Sequence, residues 1–462
     1  MTPGRPPGLA VLAAASLIGC AAAGQDRPAI GFNRWQEDWS VLADQSLRTE
    51  PFDSLKYIPL AAGDPASYLS LGLNLRERYE ANDAPRFGTA GSRDQHYLLQ
   101  RAQIHADLRP DAHWQIFLQL EDDIQAGKAP VTPVDENPLN IRQAFVTYDA
   151  ALAGGDVKLR VGRQEMAFDL QRFVSVRDGP NVRQAYDAVW GNWTNEDWRL
   201  IGFWSHPVQY RDTRPFDDIS NERLQYGGLR IERKQVGPGE LSAYWSRYSA
   251  ANARFLDAAG DEQRDNFDLR YAGKLAGFDW DVEEMTQTGH VGATPILAWA
   301  FGSRGGYSLE GWGWTPRLGL QADAASGDGR AKDGHLGTFN PLFPNGYYVT
   351  LAGYTGYTNF IHAKPSLTVK PNRSLTLMAA TGLLWRETTA DAVYVQPNVA
   401  VPKTAGRGDS WTGTYQQMRL DWAVTANVAS AVEAVHFQIG DSLRAAGGHD
   451  SDYLGVEFRF GW

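Results

Sequence analysis

At 462 residues the chain is long enough for two or three ordinary domains or for one large barrel. Its 44 basic and 54 acidic residues leave a net charge of −10, which argues against a nucleic-acid partner, while 16 Trp and 19 Tyr suit a β protein with much aromatic surface. The only cysteine is Cys20, so no disulfide is available, and past the leader no run of about 18 apolar residues offers a transmembrane helix.

Residues 1–23 read as a secretory signal. Arg5 supplies a positive start, Leu9 to Ile18 an apolar stretch, and Ala21-Ala22-Ala23 a small-residue cleavage site before Gly24. Leu17-Ile18-Gly19-Cys20 also resembles a lipobox, which leaves lipidation of Cys20 open as the other reading. Residues 24–65 lack period-two patterning and are expected to form a periplasmic or lumen-tucked segment. From Tyr68 the pattern changes. Leu69, Leu71, Leu73 and Leu75 fall on one face, and Ser70, Gly72, Asn74, Arg76 and Arg78 on the other, as side chains of a strand must.

The same alternation recurs along 66–462, in Ile104, Ala106 and Leu108, in Ile116, Leu118 and Leu120, in Leu229 and Ile231, in Phe267 and Leu269, in Leu318 and Leu320, and in Met418, Leu420 and Trp422. It closes on Leu454, Val456, Phe458, Phe460 and Trp462, with Gly455, Glu457, Arg459 and Gly461 opposite. Around Ile141 to Tyr148 both parities carry apolar residues, and the side of Arg142 is undetermined. Short turns are predicted near Pro110, Gly154, Asn192, Gly237, Gly277, Pro316, Pro371 and Ala426. Longer polar loops are predicted at 80–96, 124–139, 165–183, 207–221, 250–263, 327–357, 387–410 and 440–451, with one short connection near His290 to Thr294. Short and long connections in alternation predict an all-β transmembrane, antiparallel, up-and-down barrel of about 18 strands in the outer membrane, with both termini periplasmic.

In such a barrel the apolar face meets lipid and the polar face lines the lumen. Arginine recurs on the polar face at Arg76, Arg78, Arg101, Arg109, Arg160, Arg230, Arg270, Arg317, Arg419 and Arg459. Guanidinium groups stay charged and grip carboxylates, so rings of them select anions. Acids share the face, among them Asp107, Glu121, Asp268, Asp421 and Glu457, and the plainer reading of each arginine is an ion pair that holds the wall. The densest cluster is the loop after the fifth strand, with Arg163, Arg172, Arg177, Arg183, Asp169 and Asp178. By strict alternation Arg163 falls on the lipid parity, so it must lie above the bilayer or follow a bulge.

Gly162-Arg163-Gln164-Glu165, Gln171-Arg172, Arg177-Asp178 and Asn181 resemble the alginate-export family of outer-membrane barrels. So do Ala325-Ser326-Gly327-Asp328, Thr338-Phe339-Asn340-Pro341-Leu342-Phe343-Pro344 and Val435-His436-Phe437-Gln438-Ile439-Gly440. The resemblance spans most of 66–462. It implies an eighteen-stranded barrel with an electropositive, Arg-lined constriction that passes an anionic polysaccharide. A general uptake porin for small anionic or sugar solutes is the alternative. Expected partners are the anionic cargo, outer-membrane lipid, the barrel-assembly machinery through the last strand, and periplasmic export components.

No catalytic residue, metal site or cofactor is predicted. Gly440-Asp441-Ser442-Leu443 spells an esterase motif, but that chemistry needs Ser on a strand-to-helix turn with an acid and a His placed by the fold. The 9 His are scattered without ligand spacing, and His105 reads as a wall residue.

Overall fold

The computed structural model describes residues 27–462; the predicted leader and Cys20 lie outside the described residues. Eighteen antiparallel strands form one closed barrel. They are β1 (Tyr68–Asn82), β2 (Gln95–Arg109), β3 (Trp114–Ala126), β4 (Asn137–Leu152), β5 (Gly155–Gln164), β6 (Tyr186–Thr194), β7 (Trp198–Gln209), β8 (Leu224–Val236) and β9 (Gly239–Arg254). The second half comprises β10 (Ala259–Leu275), β11 (Phe278–Val291), β12 (Thr294–Ser308), β13 (Arg317–Ala325), β14 (Phe360–Val369), β15 (Leu375–Trp385), β16 (Trp411–Ala423), β17 (Val428–Ile439) and β18 (Ser451–Gly461). Each strand pairs with its sequence neighbours. β18 returns to β1, in register from Asn74 opposite Gly461 to Asn82 opposite Tyr453. No edge is left unpaired, as a bilayer requires.

Burial is inverted relative to a water-soluble protein. Leu297 is 68 %, Leu229 63 % and Met418 62 % exposed, all on the outer face. On the inner face Arg78, Arg101, Glu121, Arg264 and Glu283 are buried. The outer face is therefore the lipid belt, and the polar face encloses the lumen. Aromatic and apolar side chains from the long loops, Phe173, Phe339, Tyr348, Tyr357 and Val393, pack inside the barrel against Met285, Tyr415 and Phe437 of the wall.

Three local features depart from simple alternation. In β4 the register to β3 passes from Gln119 opposite Gln143 to Leu120 opposite Ile141. One residue is extra, so Arg142 and Gln143 both face inward and are buried. This bulge is why both parities look apolar between Ile141 and Tyr148. The turn expected at Asn192 lies later: Asn192 belongs to β6, and Asn195 Oδ1 accepts from the backbone N–H groups of Asp197 and Trp198 at 3.0 and 2.7 Å. The loop expected at 250–263 shrinks to 255–258, because β9 and β10 continue past a register shift between Ala250 and Ala253.

Residues 27–57 form three short 3-10 turns and one helical turn, Asp53–Lys56, against the inner wall. Arg34 Nη2 donates to the Trp462 carbonyl at 2.8 Å and Nη1 to Asn74 Oδ1 at 2.5 Å. Arg109 Nη2 reaches the Glu37 carbonyl at 2.7 Å, and Gln115 Nε2 the Trp35 carbonyl at 2.8 Å. The segment thus touches β1, β2 and β3 at the end of the barrel that carries the short turns.

Trp462 exchanges both backbone hydrogen bonds with Leu73, at 2.8 and 2.9 Å. Deleting Phe460 to Trp462 removes the lower part of the closing seam. The expected outcome is loss of the heat-modifiable folded band in electrophoresis of membranes, rather than a folded barrel with weaker transport. Leu229→Arg is expected to destabilise the barrel in lipid vesicles by about 2–4 kcal/mol if the site lies at mid-bilayer, read from denaturant unfolding.

Candidate functional site

The loop between β5 and β6, residues 165–185, folds into the lumen and is held at both ends by charge. Asp178 is the anchor of its second half. Its Oδ1 accepts from Arg101 Nη1 at 2.7 Å and from Arg183 Nε at 2.8 Å, and its Oδ2 from Arg459 Nη2 at 2.9 Å. Arg76 Nη2 and Nη1 reach the carbonyls of Gly179 and Pro180 at 3.3 and 3.4 Å, and Arg101 Nε reaches the Asn181 carbonyl at 2.6 Å. Burial pushes the Asp178 carboxyl up, but Arg183, Arg459, Arg101 and Arg76 together hold it well below the usual carboxylate range.

Asp169 anchors the first half. Both of its oxygens accept from Arg230, each at 2.7 Å, and Arg270 Nη1 lies 3.0 Å away. This is the bidentate geometry that planar guanidinium favours. Arg172 points across the lumen to β11, where its Nη1 meets Asp281 at 2.7 Å and Glu283 at 2.5 Å. Gly302 on β12 makes room for it, because a Cβ there would sit 2.5 Å from Arg172 Nε. The loop between β13 and β14, residues 326–359, lies beside this one. Ser175 N–H donates to the Phe343 carbonyl and Phe343 N–H to the Phe173 carbonyl, both at 2.9 Å.

Three further wall arginines also meet acids. Arg78 binds Glu80 at 2.6 Å, Glu433 at 2.5 Å and Glu457 at 3.1 Å, and its Nη2 donates to the Tyr453 hydroxyl at 2.6 Å. Arg419 binds Asp421 at 2.7 Å and also Glu433. Arg317 binds Asp279 through Nε and Nη2 at 2.8 and 2.5 Å. The structure thus brings Arg76, Arg78, Arg101, Arg172, Arg183, Arg230, Arg270, Arg419 and Arg459 into ion-pair networks that tie loop to wall and strand to strand.

Three of the expected residues behave differently. Arg163 does not join the lumen. Its register with Ala144 continues unbroken from Val161, so it keeps the outward parity at the outer end of β5. There it grips Asp187 at 2.8 and 3.0 Å, beside Ser220. Arg177 meets no carboxylate within 4 Å among the described residues; its Nη2 donates to the Leu342 carbonyl at 3.2 Å. Arg160 also forms no ion pair among the described residues, and stacks on aromatics instead. Arg142 and Arg264 are among the inward cations that escaped sequence reading. Arg142, which binds Glu121 at 2.5 Å, was hidden by the β4 bulge. Arg264, which binds Glu262 at 2.6 Å, sits at the parity of Arg270 on β10, just past the stretch 250–263 assigned to a loop. Extending the alternation two steps upward from Asp268 would have found it.

A closed, lipid-faced barrel with charged loops folded into a polar lumen has the architecture of an outer-membrane channel. The chain belongs to the alginate export family, whose profile matches residues 67–457. No curated protein sequence matches it. Among solved structures it is similar to OccD3 (OpdP) of Pseudomonas aeruginosa, at TM-score 0.58 and 11 % identity over 88 % of this chain and 93 % of that one. It is also similar to the outer membrane protein OpdK of the same organism, at 0.56 and 10 % over 85 % and 98 %. A third, OccK2 (OpdF) of that organism in complex with glucuronate, matches at 0.54 and 11 % over 85 % and 96 %. At these identities the likeness is one of fold.

Removing the carboxylate at Asp178 leaves Arg101, Arg183 and Arg459 without their common partner. Asp178→Asn is expected to cost about 3–5 kcal/mol of loop docking, as for other buried pairs broken on one side. The readout is faster trypsin cleavage within 172–183 of the folded barrel. Because the carboxyl is depressed, its contribution is complete above the ordinary carboxylate pKa of about 3.9 and is lost only as pH falls through the lower value. The wild-type loop should therefore stay protected from an acid-active protease between pH 7 and about pH 4.

Proposed function

We propose that the chain forms an anion-selective passage through the outer membrane for an acidic, alginate-like polysaccharide. The observation that carries the reading is the Asp178 site. Three lumen guanidiniums converge on one carboxylate at 2.7–2.9 Å, which is the geometry a uronate side group would need. Family membership supports the same class of cargo. The interleaved acids Glu457, Glu433 and Glu283 keep each cation from holding an anion too tightly for release. Passage needs no energy input from the chain itself, since the lumen offers binding groups in series. Passage by this reading runs along the wall that carries Arg76, Arg101 and Arg459, with the 165–185 loop setting the width.

A second reading, uptake of small anionic or sugar solutes, draws on one neighbour, OccK2, which is described in complex with glucuronate. Chain length separates the two. In planar bilayers under a salt gradient, the reversal potential is expected to report anion preference. Oligouronides are expected to block the current more strongly with each added residue. Cation preference, or no conductance even after deletion of 165–185 and 326–359, would count against the anion passage. Block that saturates at the monosaccharide would favour the small-solute porin.

A further inference from the structure

Among the strand arginines predicted to line the lumen, Arg160 forms no ion pair among the described residues. It lies on β5 in the half of the wall nearer the short turns and is only 4 % exposed. Its Nε and Nη2 are buried and have no hydrogen-bond partner among the described residues. Burying a guanidinium without a carboxylate is costly. What offsets the cost is aromatic. The Trp35 ring centroid lies 3.6 Å from Arg160 Cζ, with Phe145 at 4.7 Å and Trp190 at 5.3 Å. Phe145 and Trp190 belong to the wall, but Trp35 belongs to the segment 27–57. Its indole N–H is also buried without a partner. The same segment repeats the contact once more: the Phe32 ring lies 4.0 Å from Cζ of Arg183 in the inserted loop.

An unpaired pair of N–H donors on a cation, covered by one removable ring, is the arrangement of an occupied anion site with a stand-in occupant. The aromatic face supplies a weak attraction for the cation but no acceptor for its N–H groups. A carboxylate supplies both. We propose that Arg160 is a carboxylate-binding subsite of the lumen, and that Trp35 covers it as part of a displaceable segment, so that an acidic saccharide and residues 27–57 compete for the same guanidinium.

The competition has a direction. The segment sits at the short-turn end of the lumen, so cargo entering there meets the covered cation before it reaches Arg183 and the Asp178 site. Displacing Trp35 frees Arg160. The Phe32 contact then loses its support, and Arg183 becomes the next cation along the path. The segment would thus narrow the passage in the absence of polyanion and yield to it when present. This inference rests on the anion-passage reading above, and it makes that passage self-covering.

The test uses the mature chain in planar bilayers, with sodium glucuronate and a trimeric uronic-acid oligosaccharide as probes. Trp35→Ala is expected to raise the anion current and to lower the oligosaccharide concentration for half-block about tenfold, the scale of a lost desolvated cation–π contact. Adding Arg160→Gln to Trp35→Ala should return the half-block concentration to the wild-type value. Trp35→Leu, which keeps bulk and removes the aromatic face, takes the place of Trp35→Ala if the latter fails to give a heat-modifiable barrel. A second readout is independent of current. Trypsin cleavage after the buried Arg34 or Lys56 should accelerate on adding the oligosaccharide to wild type, and the Arg160→Gln protein should show no such acceleration. An anion-selective wild type whose block and cleavage are unchanged by these variants overturns the inference and leaves the anion passage standing. A cation-selective wild type removes the passage reading itself.

Discussion

Every backbone N–H and C=O within a bilayer must find its partner inside the protein, and this constraint shapes the whole chain. It forces closure, and closure joins residues 68–82 to 451–461 across nearly the full length of the sequence. It also sorts side chains by parity alone. Once Leu69 to Leu75 face lipid, Arg76 and Arg78 have only the lumen to occupy, and a lumen crowded with cations must recruit acids to stay folded. Glu433, Glu457, Asp281 and Glu283 meet that need.

The long connections complete the same arrangement. A barrel of this width has more interior than its wall side chains fill. Residues 165–185 and 326–359 turn inward and join through Phe173, Ser175 and Phe343. Their polar groups are satisfied by wall arginines, and their aromatic groups pack on Tyr415 and Phe437. Two kinds of arginine result. Most are structural clamps whose carboxylates come from the chain. A few, Arg160 and Arg177 above all, lack such a carboxylate. The net charge of −10 therefore says little about the passage, because the sign that matters is local.

The barrel was legible in the sequence because period-two alternation is a local property that survives over long stretches. The aromatic closing strand, the alternation of short and long connections and the family motifs all read in one pass. What was not legible depends on non-local geometry. The β4 bulge erased the parity signal at Arg142, and only the pairing with β3 restores it. The choice of Asn195 over Asn192 for a turn, three residues along, rests on which side chain caps the following N–H groups. The destinations of Arg172 and Arg230 lie 109 and 61 residues away in sequence, at Asp281 and Asp169, and no pattern within either segment announces them. Arg163 followed its parity faithfully, which kept it out of the lumen that its motif suggested.

The meeting of Arg34 with both Trp462 and Asn74 carries a consequence for the order of assembly. Asn74 is on the first strand and Trp462 is the last residue, so this guanidinium binds a site that exists only after the ring has closed. Joining the first and last strands is the pairing with the largest loop-closure entropy in the chain and belongs late in folding. The N-terminal segment cannot find its full set of partners earlier, although it is made first. Its docking is thus a chemical record that the cylinder is complete.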